Sequence, residues 1–192
     1  ARGAYADAAA VDRSLPGLAS PAKRDRQVAV FGASGHTGRF VVRELVRRGW
    51  APILVGRDAV KLNAVREAHP GTEVRVASLD ASVSLDRALS GAVAVINCAG
   101  PFLATAAPVI DAALRARIHY LDVTPEQRAA LAAFERCADV ARDAGVVIAP
   151  AMAFYGGLGD LLATAAMGTG LPRTKSASQS RSIAGSRRWE LG

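Results

Sequence analysis

The chain reads as an α/β protein built on a doubly wound parallel sheet of about six strands. Three observations predict this. Short apolar runs alternate with longer amphipathic stretches along residues 27–170. The first run, Val28-Ala29-Val30-Phe31, passes directly into Gly32-Ala33-Ser34-Gly35-His36-Thr37-Gly38. The stretch after it, from Arg39 to Val46, is an amphipathic helix by its pattern. Strand, glycine turn and helix in that order open a Rossmann-type fold.

Each element follows from local chemistry. The first strand is expected over 27–31 and its helix over 37–48, closed by Gly49. The second strand is Pro52-Ile53-Leu54-Val55-Gly56, and Asp58 is a good cap for a helix running to Ala68, before His69-Pro70-Gly71. A third strand spans 73–77, a short helix 82–90 and a fourth strand 92–97. After Gly100-Pro101 a helix is expected over 105–116, then a strand over 118–122. Thr124-Pro125-Glu126-Gln127 carries the features of a capping box, with Thr124 as cap and Pro125 at the first helical position, opening a helix to about Asp143. A sixth strand at 146–149 and a last helix at 158–167 complete the pattern.

Composition narrows the class. Just over half of the 192 residues are apolar, so a sizeable core is expected. No apolar run is long enough to span a membrane, and Arg2, Asp7, Asp12 and Arg13 interrupt the alanine-rich start as they would not in a signal peptide. The formal charge of +7 is concentrated at the two ends of the chain, and basic tails without interleaved aromatics argue against nucleic acid. Cys98 and Cys137 are the only cysteines and lie outside any metal-ligand spacing, which places the protein in a reducing compartment, the cytoplasm by default. His36, His69 and His119 form no metal cluster with Cys, Asp or Glu at ligand spacing.

The glycine stretch is a cradle for a dinucleotide pyrophosphate. Its spacing is G-x-x-G-x-x-G, one residue longer than the usual fingerprint, so its context carries the assignment. Glycine lets the backbone turn sharply and approach phosphates, and the helix that follows offers free N–H groups and its positive end. Gly32, Ala33, Ser34, Gly35, His36, Thr37 and Gly38 are therefore cofactor-binding candidates.

In a sheet of this kind the ligand lies beyond the carboxyl ends of the strands. The second strand ends in Gly56-Arg57-Asp58. A guanidinium there grips a 2′-phosphate where a carboxylate would hold a ribose, so Arg57 favours NADP(H); the alternative is a solvated arginine. Asp80, after the third strand, either meets the adenine amino group or caps the next helix. The fourth strand ends in Asn97-Cys98-Ala99-Gly100-Pro101-Phe102, whose small residues let a ribose or nicotinamide pass close to the backbone, with Phe102 either walling the pocket or lying in the core. Cys98 has no evident histidine partner and is read as a buried structural thiol. Asp122 is read as a structural hydrogen-bond acceptor, with a substrate contact as the alternative. Tyr120 and Tyr155 are followed four residues on by Thr124 and Gly159, so the tyrosine–lysine pair of short-chain dehydrogenases is absent.

Taken together, Val30 to Arg39, Val55-Gly56-Arg57, Asn97 to Phe102, His119 to Thr124 and Phe154 to Leu162 resemble the NADP-binding domain of the saccharopine dehydrogenase-like family, which includes trans-acting enoyl reductases. The likeness covers about 27–170. Pro125 stands where the family usually has Gly. The resemblance implies a cofactor domain of an NADP(H)-dependent oxidoreductase working by hydride transfer, with a second, substrate-shaping domain missing from this chain and an oligomer possible. A non-catalytic NADP-binding or redox-sensing module, or an inactive truncated fragment, is the alternative, and no catalytic acid or base is assigned.

Residues 1–26 lack periodicity and contain Pro16, Gly17 and Pro21, so a flexible leader is expected. Residues 171–192 form a basic tail without apolar periodicity. Back-translated with GC-rich codons and read in the neighbouring frame, the stretch from Thr174 gives a strand-like alternation, so the tail is expected to be a frameshift product.

Overall fold

Strands rich in Val, Ile and Ala at consecutive positions bury both faces, which requires helices above and below a parallel sheet. The computed structural model of the chain, which describes residues 26–167, has this arrangement. Its strands are β1 (Gln27–Phe31), β2 (Ala51–Gly56), β3 (Glu73–Val76), β4 (Ala94–Asn97), β5 (His119–Asp122) and β6 (Ile148–Ala149). All pair in parallel, in the order β3-β2-β1-β4-β5-β6. The helices are α1 (His36–Arg47), α2 (Ala59–Ala68), α3 (Ser82–Leu89), α4 (Phe102–Ala116), α5 (Gln127–Ala144) and α6 (Gly159–Met167), the last entered through a π-helical turn at Phe154–Leu158.

The pleat sorts the core into two layers. Ala29, Phe31, Ile53, Val55, Val95 and Tyr120 face α3, α4 and α5 on one side of the sheet. Val30 and Leu54 face Val42 of α1 and Leu62 and Val65 of α2 on the other. Each fully buried Val, Leu or Ile contributes about 1.5–3 kcal/mol of transfer free energy. The register pairs Phe31 with both Val55 and Asn97, so β1, β2 and β4 end level. The chain leaves β1 toward β2 on one side and returns to β4 on the other, which opens a crevice at their carboxyl ends.

The structure moves several boundaries. α4 begins at Phe102 rather than 105, because its first amides are capped by Glu126 from across the fold. The capping box at Thr124 does not form: α5 begins at Gln127, and Thr124 Oγ1 instead accepts from the Glu126 amide at 2.9 Å. Asp80 does not cap α3, whose N-cap position is Ala81. Strand β4 starts at Ala94 and β6 is confined to Ile148–Ala149. The expected leader, apart from Arg26, and the whole basic tail with its frameshift origin lie outside the described residues.

Candidate functional site

The glycine loop is built into the sheet. The amides of Gly32 and Ala33 both donate to the Val55 carbonyl of β2, at 2.8 and 3.3 Å. Gly32 turns with φ +81°, and a Cβ on it would stand 2.9 Å from that of Ala99. Gly35 donates back to the Gly32 carbonyl at 3.0 Å, and Arg39 Nε reaches the Ser34 carbonyl at 3.0 Å. Helix α1 then starts with no side-chain cap and no acidic residue in its first turn. Its positive end therefore carries no compensating carboxylate of its own first turn.

A groove of about 590 Å³ runs over these strand ends. Gly32, Ser34 and Gly35 form its middle. Arg57, Asp58, Lys61, Ser78 and Asp80 line one side, and Cys98, Ala99, Gly100 and Thr105 the other. Arg57 is exposed at the tip of β2. Asp58 caps α2 by accepting from the Lys61 amide at 3.1 Å, and its carboxylate lies 3.2 Å from Lys61 Nζ. The bond from the Lys61 backbone, then that from its ammonium, holds the Asp58 carboxyl below its usual range. Lys61 was not among the sequence candidates; it lies in the first turn of α2, three residues beyond the cap Asp58, and that spacing is the signal that finds it. Asp80 accepts from Ser78 Oγ at 3.2 Å and stays exposed at the rim.

The other sequence candidates divide by depth. Ala33 is fully buried in the α1–α2 layer. Gly38 is buried beneath the loop. His36 and Thr37 are exposed at the start of α1 and do not line the groove; the His36 ring packs edge-on to Phe40 at 5.1 Å. Asn97 is fully buried and turns away from the groove. Its Nδ2 donates to Thr105 Oγ1 and Tyr120 Oη, at 3.2 and 3.3 Å, and its Oδ1 accepts from the Ala99 amide at 3.0 Å. The pleat puts Asn97 on the same face as Val95, which is why its side chain points inward. Cys98 lines the groove, but burial, with the charge of Asp122 adding, pushes its thiol up to about 12. It is a protonated thiol at neutral pH, not a nucleophile.

Behind this wall lies a buried polar chain. Tyr120 Oη donates to Asp122 Oδ2 at 2.7 Å, while Asp122 Oδ1 accepts from the amides of Thr124 and Ala151 at 3.0 and 2.8 Å. Burial, followed by the Asp122 charge, raises the Tyr120 phenol well above its ordinary value. The structural reading of Asp122 fits this geometry. Thr105 and Glu126, absent from the sequence candidates, hold the same wall: Thr105 Oγ1 donates to the Ala99 carbonyl at 2.6 Å, and Glu126 accepts from the amides of Phe102 and Leu103 at 2.8 and 2.9 Å. Phe102 is buried in the core, not walling the groove. Among the described residues there is no cluster of three metal-ligating side chains, and no helix is long and apolar enough to cross a membrane.

Comparison with known proteins agrees with this geometry. Residues 28–148 match the family described as the saccharopine dehydrogenase NADP binding domain. A saccharopine dehydrogenase-like oxidoreductase of Rattus norvegicus is 33% identical over 122 residues, 54% of this chain and 28% of that protein. A probable mitochondrial saccharopine dehydrogenase-like oxidoreductase of Arabidopsis thaliana is 32% identical over 114 residues, 52% of this chain and 25% of that protein. The matched stretch thus spans about a quarter of the length of these relatives. Among solved structures, apo saccharopine dehydrogenase (L-Glu forming) from Saccharomyces cerevisiae superposes with a TM-score of 0.62 at 17% identity, over 72% of this chain and 29% of that one. The Citrobacter sp. triphenylmethane reductase complexed with NADP(H) gives 0.50 at 22% identity, over 64% and 48%. These two share the fold.

The groove fits the family's cofactor, NADP(H): a cradle that any Cβ on Gly32 would fill, an uncapped helix end beside it, and two cations, Arg57 just past β2 and Lys61 in the first turn of α2. A doubly wound sheet ordered 3-2-1-4-5-6, this groove and the match over residues 28–148 together make the chain a member of the saccharopine dehydrogenase NADP-binding-domain family, with NADP(H) as its cofactor.

Proposed function

We propose that the chain is the cofactor-holding part of an NADP(H)-dependent oxidoreductase whose reaction is hydride transfer. The observation that carries this is the pairing of an uncapped α1 N-terminus with Arg57 and Lys61 on one groove wall and small, uncharged residues on the other. The loop from Gly32 to Gly38 would shape the cradle, with the amides of Gly32, Ala33 and Gly35 fixing the loop itself and the first turn of α1 facing the pyrophosphate. Arg57 and Lys61 would hold the 2′-phosphate, and Ser78 and Asp80 would meet the adenine amino group. Cys98, Ala99 and Gly100 would let the nicotinamide approach the backbone, with Asn97 fixing that segment from behind.

The bound cofactor supplies the hydride, and the protein supplies binding and orientation. No side chain of this chain is assigned as acid or base. The substrate is selected by polypeptide beyond the stretch shared with the longer relatives. Two free thiols, one in the groove wall and one in the core, support a reducing compartment such as the cytoplasm.

A calorimetric titration of the purified chain with NADPH and with NADH tests the reading. Saturable binding that prefers NADPH is expected. Failure to bind either nucleotide would overturn it.

A further inference from the structure

Three helix N-termini meet the groove, and they are finished differently: that of α2 is capped locally, by Asp58 accepting from the Lys61 amide. Helix α1 has no side-chain cap and no acidic residue in its first turn. Helix α4 begins after Pro101, which has no side-chain acceptor, yet its first two amides are taken by one carboxylate. That carboxylate belongs to Glu126, 24 residues further on, in the loop after β5. We propose that Glu126 is a positioning residue for the nicotinamide half of the cofactor. This rests on the NADP(H) reading above and deepens it.

The argument runs through the wall formed by residues 98–101. Its inner side is pinned at Ala99, where Asn97 accepts from the amide and Thr105 donates to the carbonyl. Its outer end, where the chain enters α4, is held locally by the Pro101 carbonyl, which accepts from the Ala104 and Thr105 amides, and is tied across the fold through Phe102 and Leu103, each donating to one oxygen of Glu126. Glu126 is itself anchored: its amide donates to Thr124 Oγ1, and the Thr124 amide donates to buried Asp122 at the end of β5. The start of α4 is thereby tied to β5 and not merely capped. A local Ser or Asp would satisfy the same amides without that tie.

Charge points the same way. A carboxylate at the positive end of α4 neutralises the anion site that this end would otherwise offer. Phosphates are then directed to α1, and the α4 end is left for the uncharged part of a dinucleotide. Pro101, Ala104 and Thr105 carry this end of α4 into the groove wall.

The test compares NADPH with 2′,5′-ADP, which has the phosphorylated adenosine half and no nicotinamide. Both are titrated into the full chain and into Glu126→Ala and Glu126→Gln, alongside thermal unfolding and the emission of bound NADPH. Glu126→Ala is expected to weaken NADPH about tenfold and to reduce its emission change, while 2′,5′-ADP changes less than about twofold. Glu126→Gln keeps one acceptor and should lose about threefold for NADPH; it carries the test if the alanine variant does not fold. Equal losses for both ligands would make Glu126 a structural residue only, and no loss for NADPH would likewise overturn the proposal. If the unmodified chain binds neither ligand, the cofactor reading falls with it. If it binds both and the variants match it, only the role of Glu126 falls.

Discussion

Gly38 on α1 lies against the carbonyl oxygen of Gly32 so closely that no Cβ fits between them. Gly to Ala inside a helix ordinarily stabilises by about 1 kcal/mol. Here the added methyl would meet the backbone of Gly32 and Ala33, which are fixed by bonds to Val55 and cannot move aside cheaply. Gly38→Ala is expected to destabilise by about 2 kcal/mol or more, inverting the helix-propensity sign. Urea unfolding measures it, and an unchanged or higher midpoint would show that the loop has room to shift.

Arg57 and Lys61 stand on the same groove wall. Arg57→Ala should weaken NADPH by about ten- to a hundredfold, the value of a charge-assisted contact to phosphate, and NADH by no more than about twofold. Lys61→Ala should show the same preference with a smaller loss, because Lys61 must first leave Asp58. Parallel titrations decide it; equal losses for the two nucleotides would show that neither cation reads the 2′-phosphate.

The Cys98 thiol is raised to about 12 by burial and by the Asp122 charge. A folded pKa above the ordinary thiol value of about 8.5 contributes stability that is complete below that pH. It is lost as pH climbs from there toward 12. Iodoacetamide at pH 8, followed by peptide mass spectrometry, should label Cys98 at least about a hundredfold more slowly in the folded chain than in urea. Rapid labelling of the folded chain would contradict the raised thiol pKa.

The Tyr120 hydroxyl donates to Asp122 and accepts from Asn97, all three being buried. Tyr120→Phe keeps the ring and removes that link, leaving a buried carboxylate oxygen without its donor. The expected loss is about 1–3 kcal/mol in chemical denaturation. A loss well under that range would mean that water enters and replaces the hydroxyl.

What could be read from the residues was what is local. Val28 to Phe31 followed by the glycines announced the first βα unit, and Asp58 announced its cap, because strand pattern, turn and cap lie next to one another in the chain. The start of α4 was misplaced because its cap comes from Glu126, and Thr124 was misread because its hydroxyl and its amide are spent on Glu126 and Asp122. Asn97 was evident as the end of a strand; that its side chain lies in the core, bonded to Thr105 and Tyr120, depends on a register that no local pattern states. Arg57 was evident at a strand end, whereas Lys61 is found only by counting from the cap Asp58 into the first turn of α2.

The glycine loop from Gly32 to Gly38 hangs from the sheet rather than over it. The amides of Gly32 and Ala33 are spent on β2, and that of Cys98 on Phe31 of β1, so both rims of the groove continue the central ladder. Such amides exchange with solvent only when the middle of the sheet opens, together with the slowest-exchanging core. Among the described residues, a nucleotide bound there would rest on segments already held by the sheet. Its binding energy enters as RT ln(1 + [L]/Kd) on the unfolding of the whole domain, and protection should rise together across β1, β2 and β4.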